Sequence, residues 1–532
     1  MFFCSIIMPL TLDHKKTLFF KTLIFPLLSG VVYGISWSYD GLSFLQLISL
    51  VPLFIALYTV READNSLKKK LRQLVLISFL FKAPIVLITL PWLYELSATA
   101  LFILIITETI MFLMVFSVIL IRKIPFFAII CLYVLYELLM QNVTILVPFY
   151  QLGYAWGNHI QWIQYYSLLG IEGGTLVLLL VNYAFFKWYK IKKIQWSSIL
   201  LFSVFISLSL FSILKFHFSE DMKVDESSSI SIIHSNFISE NEIYRQNAIA
   251  LIDSINSITN PNTLVVFPEV FFNSFSWFEN LHTNPNVKYI NALQKENNQV
   301  YFIGAYLNSL TDNPTPQSSY SKDYDIYYNT HNTSILIGDN ITRVKSKRRF
   351  IPFYEYIPDN SIAQWINKHI AEIGDERKAT ILNKNDRFSY KGKRFNSLLC
   401  YESVFPLTFA KHAKHNQFLI IQTNESWNKS EILTKDYLKL NRVNAIQIGI
   451  PVYRSSNYGY SAIIYPNGTA ELQTDTKDSF TVLEGYLPQN IKNSFYCHIV
   501  GYSYRASALV LLFLFIKGVR TTFFNKKVIR KK

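Results

Sequence analysis

The chain has 532 residues, room for two or three domains, and is 51% hydrophobic and 16% aromatic with a mean hydropathy of +0.22. Such a composition excludes a purely soluble protein. The net charge of +15 does not mark a nucleic-acid binder, because Lys and Arg fall in short clusters beside apolar runs and form no basic face interleaved with aromatics. Cys4, Cys131, Cys400 and Cys497 show no CxxC or Cys/His metal spacing, which excludes a disulfide scaffold or zinc module, and the dissimilar contexts of Cys400 and Cys497 argue against their pairing.

In chain order, Met1–Leu12 is apolar, lacks a basic lead and is followed by Asp13-His-Lys-Lys16, the pattern of a retained anchor rather than a cleaved signal. Runs long enough to span a bilayer, about 20 apolar residues each, follow at 17–36, 42–60, 73–94, 98–121, 125–143, 162–186 and 196–216, with an eighth at 498–518. The loops alternate in charge. His14–Lys16, Arg61–Arg72, Arg122-Lys123, Lys187–Lys193 and Lys526–Lys532 are basic, whereas Trp37–Gly41, Leu93–Ser97 and Gln141–His159 contain no Lys or Arg. Positive loops are retained in the cytoplasm, so both termini are expected inside and residues 217–497 outside. The expected domains are a seven-span membrane domain at 1–216, a soluble domain at 217–497, and a last span with a basic tail at 498–532. Lys82, Glu108, Glu137 and Glu172 lie within or beside the spans. Pairing or snorkelling is the expectation for Lys82 and Glu108, Glu172 is the candidate to line a lipid access site, and Arg505 is expected to snorkel.

Residues 217–497 change character. β-rich runs occur at Ser229–Phe237, Thr263–Glu269, Val300–Leu307, Thr333–Ile337, Asn396–Ser403, Phe418–Ser426 and Ile450–Tyr465. Helical patterns at Glu242–Ile258 and Lys435–Ile448 alternate with them, which predicts a layered α/β domain. The polar stretch Asn308–Asp325 reads as a surface loop.

Three residues of this domain carry chemistry. Cys400 ends the strand-like run Asn396-Ser-Leu-Leu-Cys400 and is followed by Tyr401-Glu402. A buried cysteine alone is more often structural; a nucleophilic thiol needs a base and a cation nearby. Glu269, in Phe267-Pro-Glu269 at the end of an apolar run, suits the base, since poor solvation raises a carboxyl pKa toward a useful range. The cation must come from the basic run Lys345, Lys347, Arg348, Arg349, and physics alone does not choose among them. His234, His331, His412 and His415 sit in no motif that supports a Cys–His protease, and no phosphate loop, zinc pair or calcium loop is present. No cofactor or metal is expected.

The combination of Phe267-Pro-Glu269, Lys347 eight residues before Glu355 in Ile351-Pro-Phe-Tyr-Glu-Tyr-Ile-Pro358, and Cys400-Tyr-Glu402 resembles the Glu-Lys-Cys triad of the nitrilase (carbon–nitrogen hydrolase) superfamily. With Arg442, Ala445, Pro451, Arg454, Asn457 and Gly459, and with the seven-plus-one spans, the fuller resemblance is to the membrane branch, the bacterial apolipoprotein N-acyltransferases. It implies a polytopic α-helical membrane protein carrying an αββα sandwich domain. It further implies Glu269 as general base, Lys347 as the lysine that stabilises the intermediate, Cys400 as the acylated nucleophile, and Glu355, Tyr401 and Glu402 as accessory active-site residues. The implied reaction moves an acyl chain from a membrane phospholipid, in the family phosphatidylethanolamine, through a thioester to the α-amino group of the diacylglyceryl cysteine of an apolipoprotein. The implied setting is the bacterial inner membrane, as a monomer with the catalytic domain periplasmic. A membrane-tethered amidase, and a non-catalytic lipid-binding or transport protein, are the alternatives. Departures from the family are Asn424-Glu-Ser-Trp427-Asn-Lys-Ser430 in place of Asn-Asp-x-Trp-Phe-Gly-x-Ser, Tyr437 at the place of a histidine, and no plain counterpart in Ser239–Tyr244 of an aromatic kept beside the lipid.

Overall fold

The computed structural model describes residues 14–143, 146–235, 248–272, 277–338, 341–357, 361–368, 379–383, 387–428, 430–474 and 481–529. The anchor expected at Met1–Leu12 and the stretch Ser239–Tyr244 lie outside them. The chain divides into two compact units, one of residues 1–165, 169–213 and 501–532, the other of residues 166–168 and 214–500.

The first unit is helical: α1 (His14–Ser38), α2 (Val51–Glu62), α3 (Leu67–Thr89), α4 (Trp92–Leu96), α5 (Ala98–Phe116), α6 (Ala128–Asn142), α7 (Tyr166–Ile191) and α8 (Trp196–Phe218), with a C-terminal helix Tyr502–Ile529. Six stretches among the described residues are long and apolar enough to cross a membrane: Phe19–Ser38, Asp40–Glu62, Leu67–Thr89, Ala98–Leu120, Tyr166–Ile191 and Trp196–Phe218. The run 125–143 differs from expectation. Its helix is the 15-residue α6, fewer than the ~20 residues of a wholly helical span, because the chain turns at Ile124-Pro125 and leaves the helix at Val143 in an extended conformation. α1 and α3 pack so closely that a Cβ on Gly30 would lie 2.3 Å from the Phe81 carbonyl oxygen, so glycine is required there.

Two of the charges within the helical unit pair with one another. Lys82 pairs with Glu108 at 3.0 Å, and its ammonium lies 4.8 Å from the ring centroids of both Tyr136 and Tyr150. The Glu137 carboxylate accepts from the Leu152 N–H and the Thr175 hydroxyl, each at 2.7 Å. Glu172 is fully buried in α7, just after the break in that helix at Gly170. Arg505 is exposed at the start of the C-terminal helix.

The second unit is a four-layer sandwich. Its strands are β1 (Val224–His234), β2 (Thr263–Val266), β3 (Val300–Leu310), β4 (Ser319–Ser321), β5 (Ile326–Gly338), β6 (Ile341–Ser346), β7 (Phe388–Tyr390), β8 (Lys393–Leu399), β9 (Phe418–Thr423), β10 (Val452–Ser456), β11 (Tyr460–Ile464), β12 (Ala470–Thr474) and β13 (Thr481–Pro488). One sheet runs β13-β1-β2-β3-β5-β4 with β6 paired to β5, and the other runs β12-β11-β10-β9-β8-β7. At the centre of each sheet the strands are parallel, β1-β2-β3 in one and β8-β9-β10 in the other. β2 and β9 are accordingly buried on both faces, and carry the apolar runs Leu264–Val266 and Phe418–Ile421.

The two sheets meet across one core that includes Ile232, Val266, Phe302, Phe395, Ile420 and Tyr453. Helices α9 (Ala248–Ile258) and α10 (Pro285–Asn297) cover the first sheet through Ile252, Ile255, Val287 and Ile290. A short α11 (Ser361–Ile366) follows, and α12 (Pro406–Ala413) and α13 (Glu431–Ile448) cover the second sheet through Phe409, Ala413, Ala445 and Ile448. The α/β domain with a sandwich of two sheets is therefore present. Two local expectations change. The run Ile450–Tyr465 is a hairpin of β10 and β11, because Asn457-Tyr-Gly459 breaks it. The stretch Asn308–Asp325 is partly sheet, since β3 extends to Leu310 and β4 pairs with β5, so its polar side chains flank a paired backbone.

Candidate active site

Parallel strands present their C-terminal ends together, the usual location of ligands in open α/β sheets. β2 runs on through Phe267-Pro268 to Glu269, β8 ends at Cys400, and β9 ends at Thr423-Asn424. Lys347 follows β6. Its N–H bonds the Asn332 carbonyl at 2.8 Å, which extends the β5–β6 pairing by one residue. Strand alternation then puts Lys345 and Lys347 on the same face, and both are buried.

The two lysines do different things. The Lys347 ammonium donates to Glu269 Oε1 at 2.9 Å and to Glu355 Oε1 at 2.6 Å. The Lys345 ammonium donates to the Ser397 carbonyl of β8 and tethers the two sheets. Burial pushes Lys345 down to about 8. For Lys347 burial also opposes the charge, but Glu269 and Glu355 outweigh it and hold the lysine protonated well above its ordinary range.

Glu269 is fixed on every side. Its Oε1 also accepts from Asn332 Nδ2 at 2.8 Å, and its Oε2 accepts from the Asn424 N–H at 3.1 Å. Burial raises its pKa, Lys347 opposes that shift, and Glu355 adds to it. The next residue, Val270, has φ +53°, a left-handed conformation that is strained for a β-branched side chain. Behind it passes Gly304 of β3, where a Cβ would meet the Pro268 oxygen at 2.3 Å and Glu269 Cα at 2.7 Å. These are backbone atoms, so room for a Cβ can come only from shifting the chain at Glu269. Gly304→Ala is therefore expected to displace Glu269 and slow the chemistry at Cys400 by about 10²-fold while the domain still folds. Rate assays beside a melting curve check it, and a wild-type rate refutes the positioning role.

Cys400 has φ +44° at the junction between β8 and the 3₁₀ turn Cys400–Val404. Its thiol is buried and pushed up in pKa by that burial and by the Glu269 charge, with Lys347 opposing. Thr423 and Tyr437 hydrogen-bond to it through their side chains. Glu402 clamps the turn: its Oε2 accepts from the Leu399 N–H at 3.0 Å and its Oε1 from the Arg348 N–H at 2.8 Å. One carboxylate thus ties the Cys400 strand to the Lys347 strand. Glu355 is held by the Ile351 N–H at 2.8 Å on Oε2, which leaves Oε1 for Lys347. Tyr401 is buried with its ring edge-on to Phe405, 5.0 Å between centroids. Cys131, Cys400 and Cys497 are all free.

Glu269, Lys347 and Glu355 thus share one buried ion cluster that acts electrostatically on Cys400, while Glu402 contacts backbone. Asn332 and Thr423 escaped the sequence reading, which named Asn424 and Tyr437 only as motif positions and not for their contacts with Glu269 and Cys400. Asn332 sits within the polar run Asn329–Ser334 of β5, so nothing in the local sequence sets it apart from its neighbours. In the departing loop, Asn424 keeps a full set of contacts. Its Oδ1 accepts from the Ser426 hydroxyl at 2.7 Å and from Asn457 Nδ2 at 3.0 Å. Trp427 packs against Tyr354 with 5.5 Å between ring centroids. Beside it, burial pushes Glu425 up to about 7 despite its ion pair with Arg454.

The family models that match are the apolipoprotein N-acyltransferase N-terminal domain, over residues 29–184, and carbon-nitrogen hydrolase, over residues 239–482. An apolipoprotein N-acyltransferase of Haemophilus ducreyi is 29% identical over 121 residues, 22% of this chain and 24% of the relative. One of Wigglesworthia glossinidia brevipalpis is 32% identical over 152 residues, 26% and 29% of the two chains, and one of Agrobacterium fabrum is 28% identical over 190 residues, 35% and 34%. The aligned segments thus span about a quarter to a third of these relatives' length. Among solved structures, a CN-hydrolase superfamily protein of Xanthomonas campestris aligns with TM-score 0.31 at 15% identity, over 53% of this chain and 96% of that one. A nitrilase superfamily member of Saccharomyces cerevisiae aligns with TM-score 0.32 at 14% identity, over 51% and 92%. The helical unit matches the first model, the sandwich unit the second, and the curated relatives carry the first model's family name: this chain belongs to the apolipoprotein N-acyltransferases, a membrane branch of the carbon–nitrogen hydrolases.

Proposed function

We propose that the protein transfers an acyl chain from a membrane phospholipid, phosphatidylethanolamine in the reading that family membership favours, to the α-amino group of the diacylglyceryl cysteine of an apolipoprotein. The observation that carries this reading is Lys347, bound to both Glu269 and Glu355 in a buried cluster beside Cys400, in a chain with six bilayer-length apolar helices. Cys400 Sγ attacks the ester carbonyl carbon while its proton passes to Glu269. The ester C–O bond breaks, the proton leaves with the lysophospholipid, and the acyl group stays on sulfur as a thioester. The amine then attacks that carbonyl, gives a proton to Glu269, and expels the Cys400 sulfur, which is reprotonated. Lys347 stabilises the oxyanion in both halves, with the Tyr401 N–H as a further donor. Glu355 and Glu402 act as positioning residues, the first on Lys347 and the second on the Cys400 turn.

Intact-mass analysis after incubation with phosphatidylethanolamine tests the first half. An acyl adduct on Cys400 that disappears on adding a diacylglyceryl peptide supports the transferase. An adduct discharged equally fast by water alone favours a hydrolase.

The pH dependence follows from Glu269. A base works only when deprotonated, and burial raises its pKa, so the acylation rate should climb with pH through a midpoint above the ~4.3 of a free glutamate. A rate that is flat from pH 4.5 upward contradicts this assignment.

In this reading residues 1–216, in which the short α6 crosses together with the residues that flank it, and 498–532 anchor the enzyme in the bacterial inner membrane with both termini cytoplasmic, and 217–497 face the periplasm. Cysteine at exposed Asp312 should then react with an impermeant thiol reagent in spheroplasts, and cysteine at exposed Ser66 only after lysis. The opposite pattern inverts the protein and removes its substrate.

A further inference from the structure

Where α7 turns into α8 a groove of about 420 Å³ opens between the two helices, lined by Phe185, Trp188, Ile194, Ser198, Phe202 and Ile206 among others. Phe185 and Phe202 meet edge-on in it, 4.9 Å between centroids. The groove stays open because α8 packs on little else, with only 11% of its span buried. Its size falls within the ~300–1,000 Å³ of small-ligand pockets.

Three features stack along the groove. At its mouth the turn carries Lys187, Lys190, Lys192 and Lys193, and the chain from Gly173 to Ser219 contains no Asp or Glu to neutralise them. The Lys190 ammonium lies 4.1 Å from the centroid of the Tyr58 ring and the Lys192 ammonium 4.5 Å from that of Tyr189, contacts that leave their outward N–H donors for an anion. Lys187 reaches across the turn to the Ser197 hydroxyl at 2.7 Å. Just inside, Ser198 is buried and lines the groove, yet its hydroxyl has no hydrogen-bond partner among the described residues. A buried orphan hydroxyl is costly unless a ligand supplies an acceptor. Deeper still the walls are apolar through Phe202 to Ile206, about 12 Å of helix beyond Ser198. Trp188 and Trp196 are exposed at the charged end, where aromatic belts meet lipid headgroups.

Cation, hydroxyl donor and apolar wall, in that order with depth, match phosphate, ester carbonyl and acyl chain. We propose that this groove binds one anionic phospholipid from the leaflet that the Lys187–Lys193 turn faces, its phosphate among Lys187, Lys192 and Lys193, an ester carbonyl on Ser198, and one acyl chain along Phe202 and Ile206. In the topology proposed above this is the cytoplasmic leaflet. The site uses none of the acyl-transfer residues, and its test is independent of theirs.

The full chain, purified in a mild detergent, is titrated with phosphatidylglycerol and with phosphatidylcholine of identical acyl chains and read by native mass spectrometry. One phosphatidylglycerol should be retained about tenfold more tightly than phosphatidylcholine, and salt should weaken it. The triple variant Lys187→Gln, Lys192→Gln, Lys193→Gln should lose that preference, and the matching Lys→Arg triple should keep it. Ser203→Phe, which fills the groove from its exposed side, should lose binding with all the cations present. Equal retention of the two lipids overturns the proposal. So does binding untouched by Ser203→Phe, which would leave surface charge alone as the cause, or displacement by soluble glycerol phosphate at similar concentration. If the Gln triple does not fold, Ser203→Phe and the salt series still decide.

Discussion

Cys400→Ala is expected to lower acyl transfer by on the order of 10³-fold or more, with no acyl adduct and with the fold intact. The sulfur is the only atom of the cluster able to form the covalent intermediate, so no neighbour substitutes for it. Removing it costs little stability, because Lys347 keeps both carboxylate partners and only a small void is left. Alanine meets the same left-handed backbone that cysteine already occupies at φ +44°. Cys400→Ser retains the geometry but offers a hydroxyl, whose proton is far harder to remove, and should be nearly as inactive. The measurement is transfer to a diacylglyceryl peptide alongside intact mass. Substantial transfer by the alanine variant would falsify the thioester route.

Lys347→Met is expected to be both inactive and less stable by about 3–5 kcal/mol, the cost of leaving buried charges unpaired. Glu269 Oε1 and Glu355 Oε1 both converge on the ammonium, at 2.9 and 2.6 Å. Without it two carboxylates face one another in the interior and at least one must take up a proton. A protonated Glu269 no longer serves as base, so the chemistry fails twice, at deprotonation and at the oxyanion. Glu269→Gln separates the two effects. It leaves Lys347 paired with Glu355, and should be slow but close to wild type in stability. The domain's melting temperature should fall by on the order of 10 °C in Lys347→Met, with part of the loss recovered at low pH. Lys345→Met provides the contrast. It removes a tether to the Ser397 carbonyl, so it should cost stability, about 1–3 kcal/mol, and leave Cys400 reactive. An inactive Lys345→Met beside an active Lys347→Met reverses the choice of lysine.

The choice between those lysines shows where sequence stops. Lys345 and Lys347 share a strand face, so periodicity places both in the interior and cannot rank them. What separates them is what each meets there: a main-chain carbonyl of β8 for one, and for the other two carboxylates brought in from Glu269 and Glu355. Glu402 is a second example. Its place two residues after Cys400 marks it as part of the site, but only the approach of Arg348 shows that its carboxylate ties two strands together. The intramembrane charges make the same point, since a lysine and a glutamate 26 positions apart become a pair only once α3 and α5 pack.

The sequence by itself determined the broad plan: apolar runs of bilayer length, the change to short β-rich runs near residue 217, and the triad motifs. These are local patterns of hydropathy and residue type, carried by adjacent residues, and need no knowledge of what lies opposite. Only the tertiary structure decided that α6 is shorter than the other apolar helices of bilayer length, that β4 pairs within a polar stretch, that Gly304 leaves room for the Glu269 backbone, that Asn332 belongs to the site, and what Asn424 and Tyr437 touch there. The physical reason is the same throughout. Hydrogen bonds, ion pairs and close contacts between residues far apart in sequence form only when parallel strand ends and packed helices bring them together.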